Sequence, residues 1–425
     1  MLGLENECVI EECFLKQNAS EKIAALQKHN PLIIGISVSI WNHTDTLSIL
    51  RAAYPPGGSA QKPIIIMGGP EVQHLPCDSL LLSFADYVIK GEGENQFREL
   101  CAKLLSVSTT PTLVHNTASY HLYTTEDLQK KLTYVEASRG CPYSCAFCLS
   151  GLDNGKVFEF PLGDFFAQME TLIARGARRF KFLDRTFNYN IDRSISIMEF
   201  FLERLRQGMF VHFEMVPSRI TKELLSVMRH FPQGSLRLEI GVQTLNPKTA
   251  AAIHRAIDPQ RDLELLHRIT VETNAIVHAD LIAGLPCEET DSFAAGFNRL
   301  YAAGPGEIQL GILKCLPGTM IAKEAADYGI LYNAEVPPYE VYQTDALPAE
   351  DLKRIKNFAR FWELIVNRNA FTDIVPSILG NSPFENFMEL SNHLLNHFGR
   401  NWALDRSVLR AEIMGLNKLL YNKLE

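Results

Sequence analysis

The chain has no long hydrophobic run. Its longest apolar stretch, roughly Pro31 to Trp41, falls short of the about 20 residues needed to cross a bilayer. Residues Met1 to Cys13 are acidic and lack the basic-then-apolar order of a secretory signal. These absences predict a cytoplasmic protein with no membrane partner. Cysteine is scarce: nine in 425 residues are too few for a disulfide scaffold, yet three of the nine stand together. Positive charge is not in excess, and a net charge of -8 argues against a large nucleic-acid surface, although a local basic groove stays open. Low-complexity tracts and short-period repeats are missing as well. What is present, 46% hydrophobic and 21% charged residues, is the usage of an ordinary globular protein, and the length implies two or three structural units.

An α/β fold class follows from the alternation of elements. Leu32 to Ser39 (LIIGISVS) and Pro63 to Met67 (PIIIM) are short β-branched runs of the kind found in buried parallel strands. Between them His43 to Ala53 has helical spacing, and Asp86 to Lys90 (DYVIK) runs into Gly91-Glu92-Gly93-Glu94 and another helical stretch. This pattern predicts a doubly wound, Rossmann-like domain over residues 1–105. A Ser- and Thr-rich linker over 106–130 follows. Six strand candidates then alternate with helices: Thr133 to Ala137, Phe180 to Leu183, Val211 to Met215, Leu236 to Val242, Ile276 to Ile282 and Ile308 to Leu313. Six repeats predict a partial (β/α)6 TIM-type barrel over 131–346 rather than a closed eight-fold one. Only helical patterns occupy 347–425, a C-terminal helical extension.

At the exit of the first barrel strand stands Ser138-Arg139-Gly140-Cys141-Pro142-Tyr143-Ser144-Cys145-Ala146-Phe147-Cys148, with cysteines spaced C-x3-C-x2-C. Thiolates this close in one loop can wrap one iron-sulfur cluster. Three protein ligands on a four-iron cube leave one iron open to a substrate or cofactor. A structural zinc site is the plainer alternative, but it requires four ligands, and no fourth Cys or His lies nearby in the sequence to close the set.

This loop resembles that of the radical S-adenosylmethionine (SAM) superfamily. The resemblance implies that Cys141, Cys145 and Cys148 hold a 4Fe-4S cluster whose open iron chelates SAM, and that an electron splits SAM to methionine and a 5'-deoxyadenosyl radical. It places Phe147 beside the adenine. GISVSIWN, MGGPEV and DYVIKGEGE resemble the cobalamin-binding domain of radical SAM proteins that carry one. Further on, Glu214 in HFEMVP, Gln243 in EIGVQT, Arg255 in IHRAID and Asp280 in HADLIAGLP resemble positions of the coproporphyrinogen-oxidase-like branch. There the glutamate and arginine meet the amino-acid end of SAM, and the glutamine and aspartate its ribose hydroxyls. Asp184, in Asp184-Arg185-Thr186-Phe187-Asn188, stands where many relatives have a glycine-rich stretch that binds the SAM amino group, and it too is expected at the cofactor. Lys181, Arg185, Glu239, Lys314 and the segment around Tyr339 either line the substrate side or form ion pairs over the barrel mouth. Cys287 and Cys315 are read as packing residues.

Cobalamin, if bound, would face Ser37, Ser39, Trp41 and Asn42, then Gly68 and Gly69, then Gly91 to Glu94. No D-x-H-x-x-G motif offers a histidine to cobalt. The chain starts late relative to such relatives, which predicts a shortened N-terminal domain with a shallow crevice. A cofactor site and a vestigial supporting domain both stay open. The resulting expectation is an enzyme that modifies an unactivated carbon of an unknown substrate by methylation or rearrangement, with electrons from an external donor such as a flavodoxin or ferredoxin. Aminocarboxypropyl transfer from SAM and a non-catalytic metal-binding scaffold are the alternatives.

Overall fold

The computed structural model describes residues 7–55, 62–107, 120–152 and 155–421. The chain divides into two compact units. One comprises Met1–Thr117 with Leu316–Gly318 and Asn333–Glu340, and the other Ala118–Cys315 with Thr319–Tyr332 and Val341–Glu425.

In the first unit the strands β1 (Ile33–Ser37), β2 (Ile64–Gly68) and β3 (Tyr87–Val88) form a parallel sheet in that order, with β1 at an edge. Helices Ala19–Gln27, His43–Ala53 and Gly93–Leu104 accompany it. Ile65, Met67, Val38 and Leu50 are fully buried and hold sheet to helix. This is the strand-helix order the β-branched runs predict.

The second unit is built on six parallel strands. They are β4 (Thr133–Val135), β7 (Arg179–Phe182), β8 (Phe210–Met215), β9 (Leu236–Gln243), β10 (Ile276–Ala283) and β11 (Glu307–Ile312), neighbours in chain order. Two short strands, β5 (Ser138–Gly140) and β6 (Val157–Glu159), intervene as an antiparallel pair that the sequence reading did not foresee. The connecting helices start where short polar side chains satisfy their first N–H groups. Asn190 accepts from Arg193 N–H ahead of Ile191–Glu203, and Asp258 accepts from Arg261 N–H ahead of Pro259–Glu272.

Alternation along β9 shows how the sheet is dressed. Leu236, Leu238, Ile240 and Val242 are buried against the helices, while Arg237, Glu239, Gly241 and Gln243 occupy the other face. β10 repeats the pattern with Val277, Ala279, Leu281 and Ala283 buried and His278 and Asp280 opposite. One face is therefore the apolar core, and the other is a polar wall.

Two expectations about boundaries differ from the structure. Of the expected linker, residues 108–119 lie outside the described residues. The remainder is ordered by packing: Tyr120 is buried and Thr125–Lys130 is a helix with a Thr124/Asp127 capping box. The C-terminal helices are not a unit of their own. Phe358 and Trp362 of Ala349–Trp362 and Phe384 and Phe387 of Pro383–Phe398 interlock with Phe297 of the barrel helix Thr290–Ala302, one continuous core.

Candidate functional site

The cysteine loop is closed at its base by β5 and β6, in the register Gly140↔Val157. Gly140 has φ +100, and a Cβ there would run into the Lys156 carbonyl, so the closure requires glycine. Inside the loop, Cys148 N–H donates to Cys145 O (3.0 Å) and Gly151 N–H to Cys148 O (3.1 Å). Ala146 ties this turn to the barrel: its N–H donates to Ile253 O (3.0 Å), and its carbonyl accepts from Ile321 N–H (2.9 Å). The three thiols are free, Cys141 buried and the other two half-buried. Cys141 Sγ lies 3.6 Å from Thr186 Oγ1, and Arg255 Nη1 lies 3.8 Å from Cys145 Sγ. Burial raises the Cys145 thiol, while Arg255 works in the opposite direction.

Asp184 stands at the start of the cysteine loop. It is buried, and its carboxylate accepts from Ala137 N–H (2.9 Å) and Ser138 Oγ (2.6 Å). Burial pushes it up to about 6 against those hydrogen bonds. Each oxygen takes one hydrogen bond from the residues that launch the cysteine loop, so the carboxylate positions that loop whatever else it meets.

The remaining sequence-derived residues are linked from strand to strand. Gly241 sits beside Gln243, whose Nε2 would lie 2.6 Å from an added Cβ, and beside Arg255, whose guanidinium donates to the Gly241 carbonyl. Gly241 in turn pairs in register with Asp280. Gln243 adopts φ +69 at the end of β9, an uncommon conformation for a residue with a side chain. Its Oε1 and Asp280 Oδ1 are buried without any hydrogen-bond partner. Burial, then Glu239 and Glu214, push Asp280 up to about 8. Burial and then Glu239 push Glu214 up to about 7, with Arg185 and Lys181 opposing. Arg255 thus reaches Cys145, Gly241 and the field of Asp280 from one place. Phe147 is half-buried and packs against the barrel core.

Below this mouth the polar wall continues, and here the sequence reading missed residues. Glu239 Oε2 is 3.0 Å from Lys181 Nζ and 3.3 Å from His212 Nε2. His212 first and Lys181 next hold it down to about 2 despite burial. His278, beside His212 with ring centroids 5.7 Å apart, is lowered to about 4 by burial and then by His212. The alternation in FVHFEM and IVHADLIA carried that signal. Glu239 and Lys181 are thereby an ion pair of the wall. Glu288 is a second missed carboxyl: buried, accepting from Thr244 Oγ1 (2.7 Å) next to Gln243, and pushed up to about 7 by burial.

In the first unit, Ser37 to Asn42 form a tight turn: Ser39 N–H donates to Asn42 Oδ1 (2.8 Å) and Asn42 Nδ2 to Ser37 O (3.0 Å). Trp41 is 69% exposed, a large apolar ring held in solvent by that turn. Gly69 (φ +99) is demanded by the fold itself, because a Cβ would meet Val38 O at 2.5 Å; Gly93 has open space at that position. Behind the turn, Glu71 Oε1 takes both His43 Nδ1 (2.7 Å) and Tyr339 Oη (2.5 Å) in a buried network.

The residues fit a cluster with bound SAM on two structural grounds. Three free thiols share a loop pinned to the barrel, and two buried acceptors at adjacent strand ends lack donors. Comparisons with known proteins agree. Residues 135–293 match the Radical SAM superfamily model and residues 5–101 match the B12 binding domain model. An uncharacterized methyltransferase of Pyrococcus horikoshii is 23% identical over 344 residues, 72% of each chain. A ribosomal protein uS12 methylthiotransferase RimO of Synechococcus is 26% identical over 200 residues, and the chain's match spans only 42% of its length. Among solved structures, the radical SAM methyltransferase TsrM of Kitasatospora setae, with cobalamin and a [4Fe-4S] cluster bound, shares the fold. Its TM-score is 0.64 at 15% identity, over 88% of this chain and 92% of that one. The cobalamin-dependent radical enzyme OxsB, with aqua-cobalamin and SAM bound, gives a TM-score of 0.62 at 14% identity, over 96% and 73%. The Radical SAM match implies a 4Fe-4S cluster and SAM as cofactors and a need for an electron donor, and the B12 match supports cobalamin. Among the described residues no helix is long and apolar enough to cross a membrane. Residues 135–293 are thus a radical SAM domain, preceded over 5–101 by a B12 binding domain, and the pair marks the chain as an enzyme of the radical SAM kind.

Proposed function

We propose that Cys141, Cys145 and Cys148 hold the 4Fe-4S cluster and that the enzyme modifies an unactivated carbon, with methylation the favoured outcome. The observation that carries this reading is the pair of orphaned buried acceptors, Gln243 Oε1 and Asp280 Oδ1, on the strands linked through Arg255 to Cys145. Vicinal hydroxyls are donors of the kind such acceptors lack. A ribose set there would satisfy both. Arg255, with five N–H donors, one given to Gly241 O and one directed at Cys145 Sγ, keeps donors for a carboxylate. Glu214, held half-neutral by burial, would ionise as an ammonium group approaches, so binding the amino-acid end of SAM lowers its pKa. Phe147 offers its ring to the adenine.

When bound, the cluster supplies the electron that cleaves SAM to methionine and a 5'-deoxyadenosyl radical, and cobalamin supplies a methyl carrier. The chain's own residues bind and orient: Asp184 fixes the start of the loop, and the polar wall of β8 to β10 presents Glu214, Gln243 and Asp280. Methylation is favoured because relatives by sequence and by fold carry methyltransferase names and the domain ahead of the barrel is of the B12 type. None of the nine cysteines is paired in a disulfide, which suits the cytoplasm, where a flavodoxin or ferredoxin would deliver electrons.

Anaerobic reconstitution with iron, sulfide and cobalamin, followed by reduction with SAM, tests the reading. Stoichiometric cobalt and 5'-deoxyadenosine are expected. Methylthioadenosine as the product would point to aminocarboxypropyl transfer, and absence of cleavage to a non-catalytic scaffold; either result overturns it.

A further inference from the structure

A second group of metal-ligating side chains lies outside this site, in the C-terminal helices. His393 and His397 are one turn apart on Pro383–Phe398 and stack with an interplanar angle of 18°. Glu412, on Arg406–Tyr421, meets both: its Oε1 is 2.7 Å from His393 Nε2 and 3.5 Å from His397 Nδ1. All three ligating atoms fall within 4.8 Å of one another.

We propose that His393, His397 and Glu412 form a binding site for a divalent transition metal, zinc in the first instance, separate from the iron-sulfur cluster. Histidines at i and i+4 present their rings on one helix face, which is how a helix offers two nitrogen donors to one ion. Two imidazoles and a carboxylate are the donor set of open zinc sites, which hold three protein ligands and leave the other positions to water. Imidazole disfavours calcium and magnesium, and the absence of a thiolate in the set disfavours copper(I). Bonds of about 2.0 to 2.2 Å place ligand atoms a little over 3 Å apart. Two sides of the observed triangle, 2.7 and 3.5 Å, already bracket that spacing, and the half-exposed histidines have rotamer freedom to adjust the third. The ligands are 42%, 47% and 25% exposed, so an ion enters from solvent and the remaining coordination positions face water.

The ion would have a structural effect. Glu412 is flanked by Leu409 and Ile413, the buried residues through which its helix packs on the core. Coordination from Glu412 to the helix Pro383–Phe398 therefore fixes the rotation of the final helix about that contact. Hydrogen bonds from histidine to carboxylate hold the same pair without metal, so the test must separate the two states.

Cobalt(II) serves as the spectroscopic probe, titrated into the full-length chain after anaerobic cluster reconstitution. A nitrogen- and oxygen-ligated ion gives visible ligand-field bands without the intense near-ultraviolet charge transfer of thiolate ligation, which separates it from any cysteine-bound cobalt. The parent is expected to bind one more equivalent of this type than His397→Ala or Glu412→Gln. Zinc should raise the melting midpoint of the parent and leave that of the variants unmoved. Because these side chains are partly exposed, both variants should fold, and melting curves without metal check that directly. Equal cobalt uptake by parent and variants, or no nitrogen- and oxygen-type bands at one equivalent, overturns the proposal.

Discussion

A single carboxylate decides how the cysteine loop begins. Asp184 receives the Ala137 N–H and the Ser138 hydroxyl, and an amide in its place offers one oxygen for two donors. Asp184→Asn is expected to lose about 1 to 3 kcal/mol of stability. Iron per chain after reconstitution should fall with it, while strand content by circular dichroism is kept. Unchanged iron and an unchanged denaturation midpoint would show that the loop is fixed elsewhere. Gln243 and Asp280 should behave differently, because their orphaned oxygens give the fold no hydrogen bond and, on the proposed reading, meet SAM. Gln243→Ala and Asp280→Asn should keep the brown cluster absorbance and weaken SAM binding by about tenfold or more, corresponding to one hydrogen bond lost to a buried group. Equilibrium binding of SAM to the reconstituted protein measures this, and loss of cluster in either variant would refute the division of labour.

At the scale of elements, legibility followed the range of the interactions. β-branched runs such as LIIGISVS and PIIIM announced β1 and β2 because β-branched side chains leave a local compositional trace; PIIIM is buried through β2, whereas β1, at the sheet edge, keeps Gly35 and Ser37 exposed. The strands bearing His212 and His278 were equally visible, but the two histidines were not, since only the register of three strands brings them to Glu239. The β5–β6 pair escaped notice for a similar reason: three residues on each side leave no periodicity, and only Gly140 betrays the closure. The grouping of the cysteines in one loop was legible from their spacing, whereas the hydrogen bonds of Asp184 to Ala137 and Ser138 were not, because they join residues 46 and 47 positions apart. Gly140→Ala tests the element directly. With φ +100 and a carbonyl where the Cβ must go, it should cost more than about 1 kcal/mol and prevent cluster assembly. Gly163→Ala, in the first turn of Leu162–Ala174 with open space at its Cβ, should be neutral or stabilising by up to about 1 kcal/mol. Thermal melts of the two variants, with iron content, separate a required glycine from an incidental one.

For the whole molecule, the burial of carboxyl groups on the polar wall sets a pH dependence opposite to that of most acid-sensitive proteins. Asp280, Glu214 and Glu288 are all raised by burial, to about 8, 7 and 7, while unfolded carboxyls titrate near 4. Between those limits these three groups bind more protons in the folded chain than in the unfolded one, so their contribution to stability falls as pH rises; His278, lowered to about 4, opposes them only below about pH 6.5, where an unfolded histidine is still protonated. Each raised acid contributes stability fully below its unfolded pKa and loses it progressively up to its folded value. Glu239 has the opposite sign, because its value is held down to about 2 by His212 and Lys181; its contribution is lost only as pH falls below about 4. The net expectation for the cluster-free chain is a higher urea midpoint at pH 5.5 than at pH 8, a window in which Glu239 stays ionised and the three raised acids give up their protons. Asp280→Asn, which cannot ionise, should flatten that slope, most clearly toward pH 8, above the midpoints of Glu214 and Glu288. SAM should oppose the trend in the reconstituted enzyme by bringing a cationic group beside Glu214 and donors to Asp280, which favours the ionised forms. A midpoint that rises with pH across the window, or a slope untouched by Asp280→Asn, would mean that these carboxyls are ionised in the folded chain and that the mouth of the barrel is wetter than its burial indicates.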